Sequence, residues 1–196
     1  APSWHPLGVQ PAAMASDDEA QRLAEKAVEL LRELGDAADE EGVEEVRRRT
    51  KDVSRLLTQG PAIEALSTAV GALGVLLQHA GDKAAVTARL QEFLWLAKDA
   101  AAVAKQAEDR RGAAIALQAL ARTHLCRSEP DAPIAAQRAA KEVIAIFQEL
   151  GDSQMEAEAL SMAADAHLMK ADKTPFEDVR NKEVSASVER SKAAME

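Results

Sequence analysis

Two stretches of the chain, 43 residues apart, decide its predicted fold. Residues 109–125 read DRRGAAIALQALARTHL, and residues 152–168 read DSQMEAEALSMAADAHL. Without a gap, the same residue stands in both copies at Asp109, Ala114, Ala116, Leu117, Ala121, His124 and Leu125 and their counterparts. Self-similarity at a fixed period of roughly 20–50 residues is the signature of a repeat architecture. The two stretches are therefore predicted to be the same helix of two successive units.

The second helix of the unit also recurs. Residues 140–152 (AKEVIAIFQELGD) resemble residues 24–36 (AEKAVELLRELGD) at an offset of 116. Mostly small residues spaced four and then three apart lie on one face of these helices, where they allow a neighbouring helix to approach closely. This face is formed by Ala20, Ala24 and Ala27, by Phe93, Ala97 and Ala100, and by Ala136, Ala140 and Val143.

Composition points to an all-α fold. Alanine is the most abundant residue, tyrosine is absent, and only two tryptophans and three phenylalanines occur. Alanine has the best helix propensity and a poor strand propensity. About eight helices with short connections are predicted, and short connections make neighbouring helices pack antiparallel. The predicted helices begin at residues 16, 40, 61, 83, 110, 132, 153 and 175 and end near residues 34, 57, 79, 107, 126, 150, 170 and 194.

The repeat resembles the tetratricopeptide repeat, in the longer form of kinesin light chains. In that family a small residue lies midway along the first helix, with a ring or large residue three positions on. Ala121 with His124, and Ala164 with His167, match this pattern, and the ELGD turn at residues 149–152 resembles the family's turn. Alanine-rich repeats ending in ELGD are also similar to those of algal proteins. The family's tyrosine and tryptophan signature residues are missing here, and the helix at 40–57 does not fit the first-helix pattern.

The resemblance implies an antiparallel helix-pair solenoid over residues 16–196. In such a solenoid the first helices line a concave face that binds other proteins. On this chain that face would present Gln118 and Arg122 from one unit, and Ser161 and Asp165 from the next. These four side chains are the predicted partner-binding residues of the repeat domain.

Residues 1–15 are predicted to form an extended N-terminal arm. Three prolines and a glycine prevent a continuous helix in the arm. A capping box at Ser16 and Glu19 predicts that the first helix begins at Ser16, directly after the arm. The arm carries Trp4, a large apolar residue beside His5 and Pro6, and we expect it to dock in a pocket of a partner. A disordered tail with an incidental tryptophan is the alternative. Trp4 is the fifth predicted partner-binding residue.

Charge and targeting signals restrict the setting. A net charge of -9 argues against binding nucleic acid or anionic lipid. No segment is long and apolar enough for a membrane span. The chain begins with Ala1, which favours removal of a targeting peptide and residence inside an organelle, a chloroplast before a mitochondrion. A cytoplasmic protein is the alternative.

Three sets of residues are candidates for binding a ligand: the histidines, the methionines and the single cysteine. His79, His124 and His167 lie near the ends of first helices, where they either fill the family's ring position or form a row facing a metal or pigment. A methionine stripe at 155, 162 and 169 is either packing or an adaptable binding surface. The single Cys126 is interpreted as a small buried hydrophobe. No motif predicts a catalytic site, a cofactor or a metal.

The function expected from these observations is non-catalytic. The chain would be a protein–protein interaction scaffold, an accessory or structural subunit of a larger complex. A photosynthetic or respiratory complex of an organelle is the expected setting, with peripheral association to a membrane complex. The alternative is a helical carrier that binds a ligand or pigment.

Overall fold

The structure is a computed structural model that describes residues 12–34, 48–53, 55–56, 61–78, 83–174 and 177–195. In these ranges all regular secondary structure is α-helical, in eight helices. The second helix, α2, is described at residues 48–53 and 55–56. The others are α1 (Ala12–Leu34), α3 (Ala62–Gln78), α4 (Lys83–Gln106), α5 (Arg110–Leu125), α6 (Ala132–Leu150), α7 (Ser153–Asp172) and α8 (Glu177–Met195). The all-α prediction is confirmed for this part of the chain.

Helices pack mainly on their neighbours in sequence. Between α4 and α8 each helix contacts the next one, in order. The helices α3, α5 and α7 also contact one another in succession, and α1 packs on both α3 and α4. Successive helix pairs are thus the unit of packing, and α3, α5 and α7 form a row whose surface carries the groove described below.

The predicted small-residue faces are buried. All nine residues of the three sets on α1, α4 and α6 are at most 2 % exposed, and Ala121 of α5 is 0 % exposed. Phe93 and Phe147 are among the largest fully buried side chains. Close helix contacts therefore rest on alanine, with a few large residues filling the space between helices.

Several helix ends follow their sequence signals. The Asp109 carboxylate accepts a hydrogen bond from the Gly112 backbone N–H at 2.9 Å, which caps α5, and Asp152 caps α7 through Met155 in the same way. Gly151 ends α6 in the left-handed conformation, with φ of 67°. Pro133 lies in the first turn of α6, where a helix tolerates proline because the backbone N–H has no partner there.

Other predicted helix ends are wrong. The first helix begins at Ala12, so residues 12–15 of the predicted arm are helical and Ser16 lies inside the helix. Alanines and a methionine before Ser16 are strong helix formers, and their propensity outweighs the capping signal.

An aspartate before a helix predicts an N-cap, and Asp131 does occupy the N-cap position of α6, but its side chain makes no capping hydrogen bond. Thr174 and Glu177 fit a capping box for the last helix, but the Thr174 hydroxyl donates back to the Lys170 carbonyl of α7 at 2.8 Å. The predicted first helical position, residue 175, lies outside the described residues.

Ion pairs join helices that are not adjacent in sequence. Arg89 of α4 contacts Glu33 of α1 at 2.9 Å, and Lys105 of α4 contacts Glu142 of α6 at 2.5 Å. These side chains are about half exposed. Each such pair contributes roughly 0–1 kcal/mol, so the pairs fix orientation more than they stabilise the fold.

Candidate partner-binding groove

The row of α3, α5 and α7 carries a groove with a volume of about 1070 Å³. Polar and apolar residues from all three helices line it. The apolar lining includes Val75, Ile115, Leu125, Met155 and Met162, and the polar lining includes Ser67, Thr68, Gln118, Arg122, Glu158, Ser161 and Asp165. A surface of this kind can hold a chain segment through both apolar contact and hydrogen bonds.

Four of the five predicted partner-binding residues line this groove. Gln118 and Arg122 come from α5, and Ser161 and Asp165 come from the equivalent positions of α7, 43 residues later. The structure therefore brings together four residues that the tetratricopeptide resemblance predicted to lie on one face. Trp4 lies outside the described residues.

Glycines of α3 provide room for arginines at the groove. A β-carbon added at Gly74 would lie 3.1 Å from Nη1 of Arg122, and one added at Gly71 would lie 3.6 Å from Nη1 of Arg49. The contact at Gly74 would require Arg122 to shift slightly, whereas the contact at Gly71 is an ordinary van der Waals distance. The two glycines thus allow cationic side chains to lie close to the α3 backbone.

Arg122 is the most enclosed cation of the groove. Burial lowers the pKa of its guanidinium, and the nearby Glu158 carboxylate opposes that shift. Arg122 Nη2 lies 3.3 Å from Glu158 Oε2, and the Gln118 amide donates to the same oxygen at 3.0 Å. One carboxylate of α7 therefore holds two groove residues of α5.

Glu158 was not among the predicted site residues. Its counterpart in the preceding repeat is Ile115, so the comparison of repeats gave no sign of a polar position. Its place one turn before Ser161 on the same face was the available signal.

Asp165 differs from Glu158 in having no cation beside it. In the described ranges its carboxylate makes no hydrogen bond or ion pair. Burial raises the pKa of this carboxyl group. Asp165 occupies the position of Arg122 in the following repeat, so the groove changes sign between the two units.

Arg49 of α2 also lines the groove, which the sequence did not predict. In the sequence, Glu44 and Glu45 stand four residues before Arg48 and Arg49, and this spacing predicts a solvated, salt-bridged face for the run at residues 47–49. Arg48 is exposed, but Arg49 is half-buried beside Gly71, and its charge helps to lower the pKa of Arg122. Residue 47 lies outside the described part of the chain. Arg49 lies near Gly71 of the next helix, a tertiary placement that helical periodicity alone does not reveal.

The two described histidines have different surroundings. His124 is buried, and burial together with the nearby Arg127 lowers its pKa. His167 Nδ1 lies 2.6 Å from Glu183 Oε2 and 3.0 Å from the Gln137 amide nitrogen. His79 is outside the described residues. In the described ranges no group of three or more His, Cys, Asp or Glu side chains could hold a metal ion.

Glu183 of α8 is a buried carboxylate that the sequence analysis missed. Lys170 and His167, both of α7, contact its two oxygens. Burial alone would raise the pKa of Glu183, but the hydrogen bonds from Lys170 and His167 outweigh it, and the pKa is lowered. This cluster joins the last two helices away from the groove.

The sulfur-containing residues divide between core and groove. Met162 is buried, and Met155 and Met169 are half-buried. Met155 both packs against the core and lines the groove, so packing and surface roles coexist. The interpretation of Cys126 as a buried residue is wrong, because the side chain is exposed at the end of α5. Cys126 is the C-cap residue of α5 and contributes to the groove lining.

Comparison with known proteins gives no relative. The chain matches no protein-family model, and neither a curated protein nor a solved structure is detectably similar to it. Among the described helices, none is long and apolar enough to cross a membrane.

Proposed function

We propose that this chain is a non-catalytic interaction scaffold whose groove holds a segment of a partner protein. In this proposal the helix pairs stack as a tetratricopeptide-like solenoid, and α3, α5 and α7 are the first helices that line its concave face. One observation carries the proposal: equivalent residues of two repeats, Gln118 with Ser161 and Arg122 with Asp165, line a single groove.

The lining of the groove suits a peptide segment. The volume of the groove, about 1070 Å³, lies just above the roughly 300–1,000 Å³ that is typical of small-molecule sites. Amide, hydroxyl and carboxylate groups lie among apolar side chains, which is the mixture that recognises main-chain and side-chain atoms together. The predicted docking arm with Trp4 would supply a second contact with the same complex.

The proposed setting is an accessory subunit of a larger complex. A photosynthetic or respiratory assembly of an organelle remains the setting that we propose, with the chain attached through its partners. A cytoplasmic location is the alternative. Purification of the native complex would identify both the partner and the compartment.

A carrier of a small ligand or pigment is the second candidate. The placement of Met155 and Met162 in the groove lining favours it, because methionine adapts to apolar ligands of varied shape. A bound pigment or haem would give visible absorbance in protein purified from its native source. A colourless protein would remove the pigment form of this candidate.

Site-specific photocrosslinking tests the scaffold proposal. A photoreactive amino acid at position 161, which is exposed in the groove, should capture a partner in the native source. The matched control places the same amino acid at Ser185, which is exposed on α8 outside the groove lining. Capture at position 161 alone supports the groove, whereas no capture there contradicts the proposed function.

A further inference from the structure

Among the described residues, the cations that line the groove all have interaction partners, whereas two of its carboxylates have no cation beside them. Arg111 contacts Asp152 at 2.8 Å, and Arg122 contacts Glu158 at 3.3 Å. The Asp109 carboxylate is used as the cap of α5. Arg49 is held by interactions of its own. The cationic side chains of the lining are therefore already engaged.

Two carboxylates of the lining remain without a cation among the described residues. These are Asp165 on α7 and Glu64 on the first turn of α3, and both side chains are exposed to a ligand that enters the groove. Partial burial removes water from the Asp165 carboxylate without replacing it by a donor, which raises its pKa. A cation brought to this point would recover the lost interaction.

Apolar side chains lie in the same groove. Ile115, Met155 and Met162 line it along α5 and α7, and Ser161 lies one turn before Asp165. An occupant is thus offered an apolar surface beside an unpaired carboxylate. Lysine and arginine match this arrangement, because their aliphatic stems pack on apolar atoms while the charged group reaches a carboxylate.

We propose that the groove binds a basic segment of a partner protein, with a lysine or arginine of that segment paired to Asp165. The inference rests on the proposed function, since it names the chemistry of the segment that the groove would hold. The net charge of -9 adds a field that attracts a cationic segment and raises its association rate. An acidic segment would instead meet Asp165 and Glu64 as like charges.

Fluorescence anisotropy with two designed peptides tests this chemistry. One labelled ten-residue peptide alternates lysine with leucine and alanine, and its twin carries glutamate at every lysine position. At physiological salt we expect the lysine peptide to bind more tightly than its twin. Asp165→Asn should weaken binding of the lysine peptide roughly tenfold, the effect of about 1.4 kcal/mol.

Matched variants separate the groove from general electrostatic attraction. Asp99→Asn removes the same charge from an exposed position on α4, outside the groove lining, and should change the affinity less than about twofold because surface charges are screened. Asp165→Lys should reverse the preference in favour of the glutamate peptide. Circular dichroism melts check that each variant remains folded.

The inference is overturned if Asp165→Asn and Asp99→Asn weaken the lysine peptide equally, or if the glutamate twin binds the wild-type groove more tightly. Failure of the inference and failure of the proposed function give different results. If a partner is captured at position 161 and its binding does not depend on Asp165, the scaffold proposal stands and the proposal of a basic segment is rejected. If no partner is captured at position 161, both proposals are rejected.

Discussion

Arg122 of α5 lies against Gly74 of α3, where an added β-carbon would be 3.1 Å from its Nη1 atom. The same guanidinium group reaches Glu158 of α7. A residue with no side chain on one helix therefore lets a single arginine contact both neighbouring helices of the groove. Three helices that are far apart in sequence are linked at this point.

Gly112 is less tolerant of substitution than Gly74. A β-carbon at Gly112 would overlap the capping carboxylate of Asp109 and lie 2.5 Å from the Ser67 hydroxyl oxygen. Gly112→Ala should therefore cost roughly 1–3 kcal/mol of unfolding free energy, through the lost cap and overpacking between α3 and α5. Urea unfolding measures this cost.

Gly74→Ala is the control for that prediction. Its added methyl group meets the end of a flexible arginine, and replacing a helical glycine gains about 1 kcal/mol of helix propensity. We expect its unfolding free energy to change by less than about 1 kcal/mol. Equal destabilisation by the two substitutions would contradict the packing of α3 on α5.

Ala121 tests the close approach of helices in the repeat. It is fully buried, so Ala121→Leu should lower the unfolding free energy by about 1–3 kcal/mol or more. Ala102→Leu on the exposed face of α4 serves as the matched control and should be nearly neutral. A melting temperature unchanged by Ala121→Leu would show that this residue does not face a neighbouring helix.

His124 should make stability depend on pH. Its pKa in the folded protein is lowered from 6.5 by burial, so at a pH well above 6.5 the group is neutral in both folded and unfolded chains. As the pH falls below 6.5 the unfolded chain takes up the proton first, and stability decreases by at most about 1.4 kcal/mol per pH unit. The decrease ends once the pH is below the folded pKa.

The His124→Gln variant isolates this contribution. Unfolding free energies should be measured between pH 7.5 and 5.5, about one unit each side of the ordinary histidine pKa. Over this range they should fall less steeply for the variant than for the wild type, since glutamine does not titrate. Parallel slopes for the two proteins would show that the histidine is accessible to protons in the folded state.

Glu183 should be important for docking of α8. Glu183→Gln removes the charge that faces Lys170 and His167 and should cost about 1–3 kcal/mol at neutral pH. Because the pKa of Glu183 is lowered, this stabilisation is present above the ordinary glutamate pKa of 4.5 and is lost as the pH falls through the folded value.

Hydrogen exchange localises the effect of that substitution. Protection in α8 should decrease in Glu183→Gln more than protection in α4, because the cluster joins α7 to α8. Glu189→Gln, at an exposed position of α8, is the charge-matched control and should leave protection unchanged. A uniform loss of protection along the chain would contradict a local role.

The sequence predicted those features that periodicity encodes. The recurrence of small residues predicted the buried faces of α1, α4 and α6. The resemblance to the tetratricopeptide repeat, and not periodicity alone, predicted that Gln118 and Asp165 share one face. Interactions between distant helices were not predictable in this way. Glu158 and Glu183 find their partners through tertiary packing, and neither has a counterpart of the same type in the preceding repeat.

Sequential packing of α4 to α8 has a consequence for synthesis on the ribosome. Each of these helices contacts the one made just before it, so the surface that receives a new helix already exists when that helix emerges. At roughly 5–20 residues per second, a helix of this length appears every few seconds, far more slowly than a helix forms. The nascent chain can therefore add its helices one at a time, with little apolar surface left waiting for a distant partner.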